Sequence, residues 1–210
     1  MVLATDTADG GPRKGDAMRA RIVDAAERIL VEDGVVAATT KAVAREAGCA
    51  EGTLYVHFPD RLAIFSAIFE KRWPIASEAL GELRAHAGVG SVVSNLTTAL
   101  QTVRDFLIAL EPLIAGVKSD PTLGRALHDR WCELDVGPQR LVQELTAYVF
   151  AEREKGRISP KVDPETVAET LLGFLFFTLG KAKFNPGSSG ELTEERLRTV
   201  ICVNVRPVDA

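Results

Sequence analysis

TTKAVAREAGCAEGTLYVHFPDR, running from Thr39 to Arg61, reads as a short helix, a tight turn and a second short helix. Val43 and Ala47 lie one helical turn apart and can share an inner face. Thr39 or Thr40 stands where a hydroxyl would cap the first free amides. Gly48 follows the last periodic residue, as a left-handed C-terminal cap requires. The second helix spans Glu51 to about His57, because Pro59 prevents a regular continuation. Leu54 and Phe58 share its inner side, which turns Glu51, Thr53, Tyr55 and His57 outward. Helices this short bury too little alone, so they need a platform. The pattern is that of a helix-turn-helix, whose second helix is built to enter a DNA major groove.

The platform precedes it. From Asp16 to Asp33, Met18, Ile22, Ala25, Ile29 and Leu30 recur at helical spacing, and Gly34 ends the run. After Pro59 and the capping Asp60, a further helix carries Leu62, Phe65, Phe69 and Trp73 inward, with Pro74 a point of expected kinking. Beyond a small-residue link from Ala85 to Gly90, Ser91 to Leu110 is amphipathic. Asp120-Pro121, Gly137-Pro138, Asp163-Pro164 and Thr193 then mark four more helix starts. Val200 to Val205 alternates somewhat like a strand, but a lone strand has no partner, so it is read as helical. The expected fold is all-α: a three-helix helix-turn-helix domain followed by a helical bundle. The expected division is a tail over residues 1–15, a DNA-binding domain over 16–72 and a C-terminal ligand-binding and dimerisation domain over 73–210. The segment NPGSSG, 185–190, reads as a loop.

Several motifs agree in register with one family. The paired Thr39-Thr40, the A-x-E-A-G turn at 44–48 and the run GTLYVHFPDR at 52–61 resemble the tetracycline-repressor (TetR) family of bacterial transcription regulators. The likeness covers about residues 16–72; the remainder matches only in style. Ala50 and Glu51 depart from it, since the family often has Ser at the first and Lys or Pro at the second. Losing the Ser removes a helix cap and one phosphate contact. The resemblance implies a dimeric, ligand-responsive regulator, most simply a repressor released from a palindromic operator by a small molecule. A helical ligand- or partner-binding protein whose helix-turn-helix no longer reads DNA is the alternative.

The expected DNA-binding residues are Thr40, Lys41, Glu51, Gly52, Thr53, Tyr55, His57 and Arg61. Thr40 and Lys41 open the first helix of the motif, where a hydroxyl, free amides and an ammonium can grip a phosphate. Gly52 lets the backbone approach closely, and Thr53 can meet a base edge or a phosphate. Tyr55 and His57 match family positions that contact DNA, and Arg61 matches a phosphate clamp. Glu51 would be repelled by phosphate but can accept from cytosine N4.

Composition constrains these expectations. The 210 residues are 46% hydrophobic, enough for a real core, and carry a net charge of −4. Between residues 10 and 58, Arg13, Lys14, Arg19, Arg21, Arg28, Lys41 and Arg45 face Asp16, Asp24, Glu27, Glu32, Asp33, Glu46 and Glu51. Any electrostatic footprint is therefore a local patch. No run approaches the ~20 apolar residues of a membrane helix, and the N-terminal residues lack a signal peptide's apolar core; a cytoplasmic protein is expected. Cys49, Cys132 and Cys202 cannot form a disulfide framework. His128 and Cys132, four apart, fall short of a four-ligand metal site, so neither metal nor cofactor is expected. No phosphate loop or nucleophile elbow occurs, and acidic pairs such as Glu152 with Glu154 read as solvated helix faces. An enzyme is not expected.

In the C-terminal part, Phe69, Trp73, Phe106, Leu110, Trp131 and Tyr148 are candidates to line an effector site, against the plainer reading that they are core. The low polar content of those faces suits an apolar or aromatic effector. LLGFLFFTLG, 171–180, is apolar almost all round, so it is buried on more than one side, within the monomer or against a copy. The family's four-helix interface points to Leu141, Leu145 and Phe150 with Leu171, Phe174 and Phe177.

Overall fold

The computed structural model describes residues 14–184 and 192–206, and among these the chain is all-α. Ten helices follow in order: α1 Lys14–Glu32, α2 Thr40–Glu46, α3 Glu51–His57, α4 Arg61–Ala85, α5 Val92–Ala109, α6 Glu111–Ser119, α7 Pro121–Glu133, α8 Pro138–Glu154, α9 Pro164–Phe184 and α10 Glu194–Val205. The caps read in the sequence explain most of the starts. Thr39 accepts from the Ala42 amide at 3.2 Å, Asp60 from Ala63 at 2.8 Å and Asp120 from Leu123 at 3.1 Å. Asp163 accepts from Thr166 at 2.9 Å and Thr193 from Arg196 at 3.3 Å. Each pairing satisfies an amide that the helix itself leaves free.

Four details refine the linear reading. Lys14 and Gly15 open α1 rather than ending the tail; residues 1–13 of that tail and the loop 185–190 lie outside the described residues. α4 continues through Pro74 without ending. Pro112 sits in the first turn of α6, where a missing amide costs little. The alternating segment 200–205 is helical.

The chain divides into two compact units. The first comprises the described residues through Ile68 together with Pro112–Leu123. Its core gathers Ile22, Ala25 and Ala26 of α1, Val43 of α2, Leu54 of α3 and Ile64 and Phe65 of α4, all essentially buried. Gly116 of α6 lies so close to Val35 that a Cβ there would come within 2.6 Å of that side chain, so α6 approaches the loop after α1 as only glycine permits.

The second unit comprises Phe69–Glu111 and the described residues from Gly124 onward. α8 and α9 pack as a pair, and α10 rests on α5 and α9. Leu96, Leu100, Val103 and Phe106 of α5 and Leu141, Leu145 and Val149 of α8 are buried. Glu152 is buried as well, at 0% exposure, which overturns its reading as a solvated acid. Its carboxylate accepts from the Gly88 amide at 3.1 Å and pairs with Arg157 at 3.3 Å, while Arg157 also donates to the Gly90 carbonyl. A charge can be buried on these terms because it is paired and hydrogen-bonded.

Candidate DNA-binding face and ligand site

α2 and α3 pack on each other and on α1. Arg21 of α1 donates to the Ala47 carbonyl at 2.6 Å, closing the C-terminal end of α2. Gly48, at φ +65°, makes the turn. Ala50 then starts α3 with extended backbone and no side-chain cap, so the cost of its missing hydroxyl is visible in the structure. Leu54 and Phe58 anchor α3 inward, and the Arg19 guanidinium lies 4.8 Å above the Phe58 ring.

What α3 turns outward is Glu51, Gly52, Tyr55 and Val56, with Thr53 and His57 half-exposed. Val56 is 81% exposed and was absent from the expected contact residues. Its signal was available, since Gly52, Thr53 and Val56 fall at helical spacing away from Leu54 and Phe58. An exposed apolar side chain on a groove-reading helix suits a thymine methyl.

Thr40, Glu51 and Tyr55 form a connected corner. Thr40 Oγ1 lies 3.3 Å from both Glu51 Oε1 and the Tyr55 hydroxyl. A carboxylate only accepts, so the donor count runs from Tyr55 O–H to Thr40 and from Thr40 O–H to Glu51. Lys41 and Arg45, one turn apart on α2, are exposed beside this corner. Arg61 is half-buried, donating to the Val35 carbonyl at 3.4 Å with its guanidinium 5.2 Å from the Phe65 ring.

In the second unit, four of the six candidate lining residues come together. Phe69 stacks on Trp131 at 4.3 Å and on Trp73 at 5.6 Å between ring centres. Phe106 meets Phe69 and Trp73 edge-on at 5.8 and 5.9 Å. Leu110 is buried. Tyr148 belongs to a different cluster: its hydroxyl accepts from Asn95 at 3.1 Å, beside Glu152. Burial, with smaller contributions from neighbours including Glu152, pushes that hydroxyl's pKa well above the usual tyrosine value. A separate half-open hollow of about 180 Å³ lies on α4 and α5, lined in part by Glu82, His86, Asn95 and Thr98. No motif in the sequence marked it, because its lining residues come from two helices.

The expected dimer residues fall into two groups. Leu141, Leu145 and Leu171 are covered by their own chain. Phe150 is 49% exposed and Phe177 71% exposed, and Phe174 is half-buried with Arg196 5.8 Å from its ring. His128 and Cys132 approach to 3.6 Å, with Gln139 as the thiol's other neighbour. Among the described residues, no cluster of three metal-ligating side chains occurs, and no helix is long and apolar enough to cross a membrane.

A short helix held on two others, presenting a Gly- and Thr-containing face next to a hydroxyl corner, has the arrangement of a helix-turn-helix. Residues 22–68 match the family model described as bacterial regulatory proteins, tetR family. Over 54 residues the chain is 41% identical to two HTH-type transcriptional regulators of Pseudomonas putida, TtgW and SrpR. Those matches span 26% of this chain, and 40% of TtgW and 25% of SrpR. The fold extends further. SmeT, the repressor of the Stenotrophomonas maltophilia multidrug efflux pump SmeDEF, solved in complex with triclosan, superposes with a TM-score of 0.70 at 20% identity, covering 89% of this chain and 90% of that one.

Proposed function

We propose that the chain is a homodimeric transcriptional regulator that represses from a palindromic DNA operator in the cytoplasm and releases it when a small apolar or aromatic effector binds the second unit. The observation that carries the reading is the outward face of α3, Gly52, Thr53, Tyr55 and Val56, on a helix whose other side is anchored by Leu54 and Phe58. In this reading Thr40, Lys41, Tyr55 and Arg61 hold phosphates, Gly52 admits the backbone to the groove, Thr53 and Val56 meet base edges, and Glu51, seated on Thr40, opposes phosphate at that corner. His57 contacts the edge of the site. No catalytic role is proposed.

The dimer is assigned to α8 and α9 through their exposed side chains Phe150, Phe176 and Phe177. Leu141, Leu145 and Leu171 support that surface from beneath, and Phe174 borders it. Phe69, Trp73, Phe106, Leu110 and Trp131 supply the effector site. The complex of SmeT with triclosan is support by analogy of fold alone.

The Glu51 carboxylate, seated on the hydroxyl corner, favours a second reading: a helical ligand-binding protein that no longer reads DNA. Selection from a randomised duplex library, followed by fluorescence anisotropy at two salt concentrations, separates the two. A reader enriches a two-fold symmetric site and loses at least about tenfold in affinity between 50 and 200 mM salt, as counterion release demands. No enriched sequence, with weak binding at both salts, would establish the second reading.

A further inference from the structure

Trp131 stands out among the buried polar groups. It is 9% exposed, and among the described residues the indole Nε1–H has no hydrogen-bond partner. That atom is a donor and nothing else. Leaving such a group dry and unpaired carries a real penalty, and native structures rarely retain one without a use. Its aromatic surroundings offer no relief: the ring lies on Phe69, which in turn stacks on Trp73 and meets Phe106 edge-on. Aromatic faces are poor substitutes for an oxygen or a ring nitrogen.

The geometry of the cluster suggests what can satisfy it. Phe69 lies nearly parallel to both neighbours, at 28° to Trp131 and 18° to Trp73, while Phe106 closes an edge. Parallel rings separate to admit a flat ring and recover their stacking on it, whereas a bulky aliphatic would forfeit that stacking. A charged group would lose its hydration on entry. A neutral acceptor on the flat ring loses little and gains the unpaired indole donor.

We propose that the Phe69–Trp73–Phe106–Trp131 cluster binds a planar, uncharged aromatic molecule carrying a hydrogen-bond acceptor, and that Trp131 Nε1 donates to that acceptor. Trp131 thereby selects among flat ligands of equal size, and the other three rings supply affinity without selection. The proposal rests on the ligand-responsive part of the functional reading and is independent of its DNA-binding part.

The test uses three probes of nearly equal shape: naphthalene, with no acceptor; quinoline, with one ring nitrogen; and N-methylquinolinium, cationic and without an acceptor. The full chain is titrated without DNA, and the indole N–H resonances are followed by NMR. The chain has only two tryptophans and both are in the cluster, so Trp131→Phe assigns them. Quinoline is expected to bind roughly tenfold more tightly than naphthalene, the worth of one buried hydrogen bond, and to move the Trp131 resonance downfield. In Trp131→Phe the preference for quinoline over naphthalene disappears. Equal affinity of wild type for quinoline and naphthalene overturns the proposal. So does quinoline binding that leaves the Trp131 resonance in place, tightest binding of the cation, or binding of none of the three. The wild-type comparison decides even if the variant fails to fold. DNA affinity is measured separately, so loss of the ligand result leaves the reader intact and loss of the reader leaves the ligand result intact.

Discussion

Thr40, Glu51 and Tyr55 meet within hydrogen-bond reach, and each has a separate reason to be there. Two hydroxyls are the groups expected to hold phosphate, and a carboxylate occupies them instead. Phosphate and Glu51 therefore compete for the same donors, and the carboxylate also repels the DNA backbone. Glu51→Gln should raise affinity for duplex DNA by roughly fivefold, the ~1 kcal/mol of an exposed charge interaction. The gain should shrink as salt is added. Anisotropy on one duplex at low and high salt checks both; weaker binding by the variant would assign Glu51 to a base edge instead. Glu51 was conspicuous in the sequence as a departure from its family. Which groups it touches could not be read there, because Thr40 lies eleven residues away on another helix.

At the scale of the element, the helix starts were legible and the faces of α9 were not. Asp163 was recognisable as a cap, and hydrogen bonds from Thr166 hold its carboxyl below the usual carboxylate value. A depressed folded-state pKa contributes stability above the unfolded value, about 3.9, and that contribution is lost as pH falls through the lower folded value. The protection of the Thr166 amide, the slowing of its exchange relative to the unstructured chain at the same pH, should therefore fall in acid, and Asp163→Asn should flatten that dependence.

In α9 the run from Leu171 to Leu179 is apolar on every side, so periodicity could not say which side meets the chain's own core. Packing decides it: Leu171, Leu172 and Leu175 are covered, whereas Phe176 and Phe177 are open. Phe177→Glu should leave helical content unchanged and turn a dimer into a monomer, because a carboxylate there is solvated in one chain and buried between two. Sedimentation at micromolar concentration reads this directly, and a wild-type monomer would sink the assignment. Leu171→Glu is the contrasting change and should unfold the second unit.

Across the whole molecule, two long-range arrangements lie beyond any local pattern. Pro112–Leu123 belongs to the first compact unit although the chain reaches it only after α5. Glu152 is joined to Gly88 across 64 residues of sequence and to Arg157 next to its own helix. That network holds the link between α4 and α5 against the end of α8. Glu152→Gln leaves Arg157 with an uncompensated charge and should cost about 3 kcal/mol, seen as a lower urea midpoint. Replacing Glu152 and Arg157 together with Met should cost less than the single change, since no lone charge then remains.

The all-α class, the helix starts, the helix-turn-helix and the outward side of α3 were all readable along the linear chain. They follow from interactions within a few residues: hydroxyl and carboxylate caps, glycine turns and the 3.6-residue period. Packing between distant segments is what buries Glu152, takes Tyr148 out of the aromatic cluster, and leaves Trp131 with an unpaired donor. Each of those depends on which remote side chain arrives beside it, and helical periodicity carries no information about that arrival.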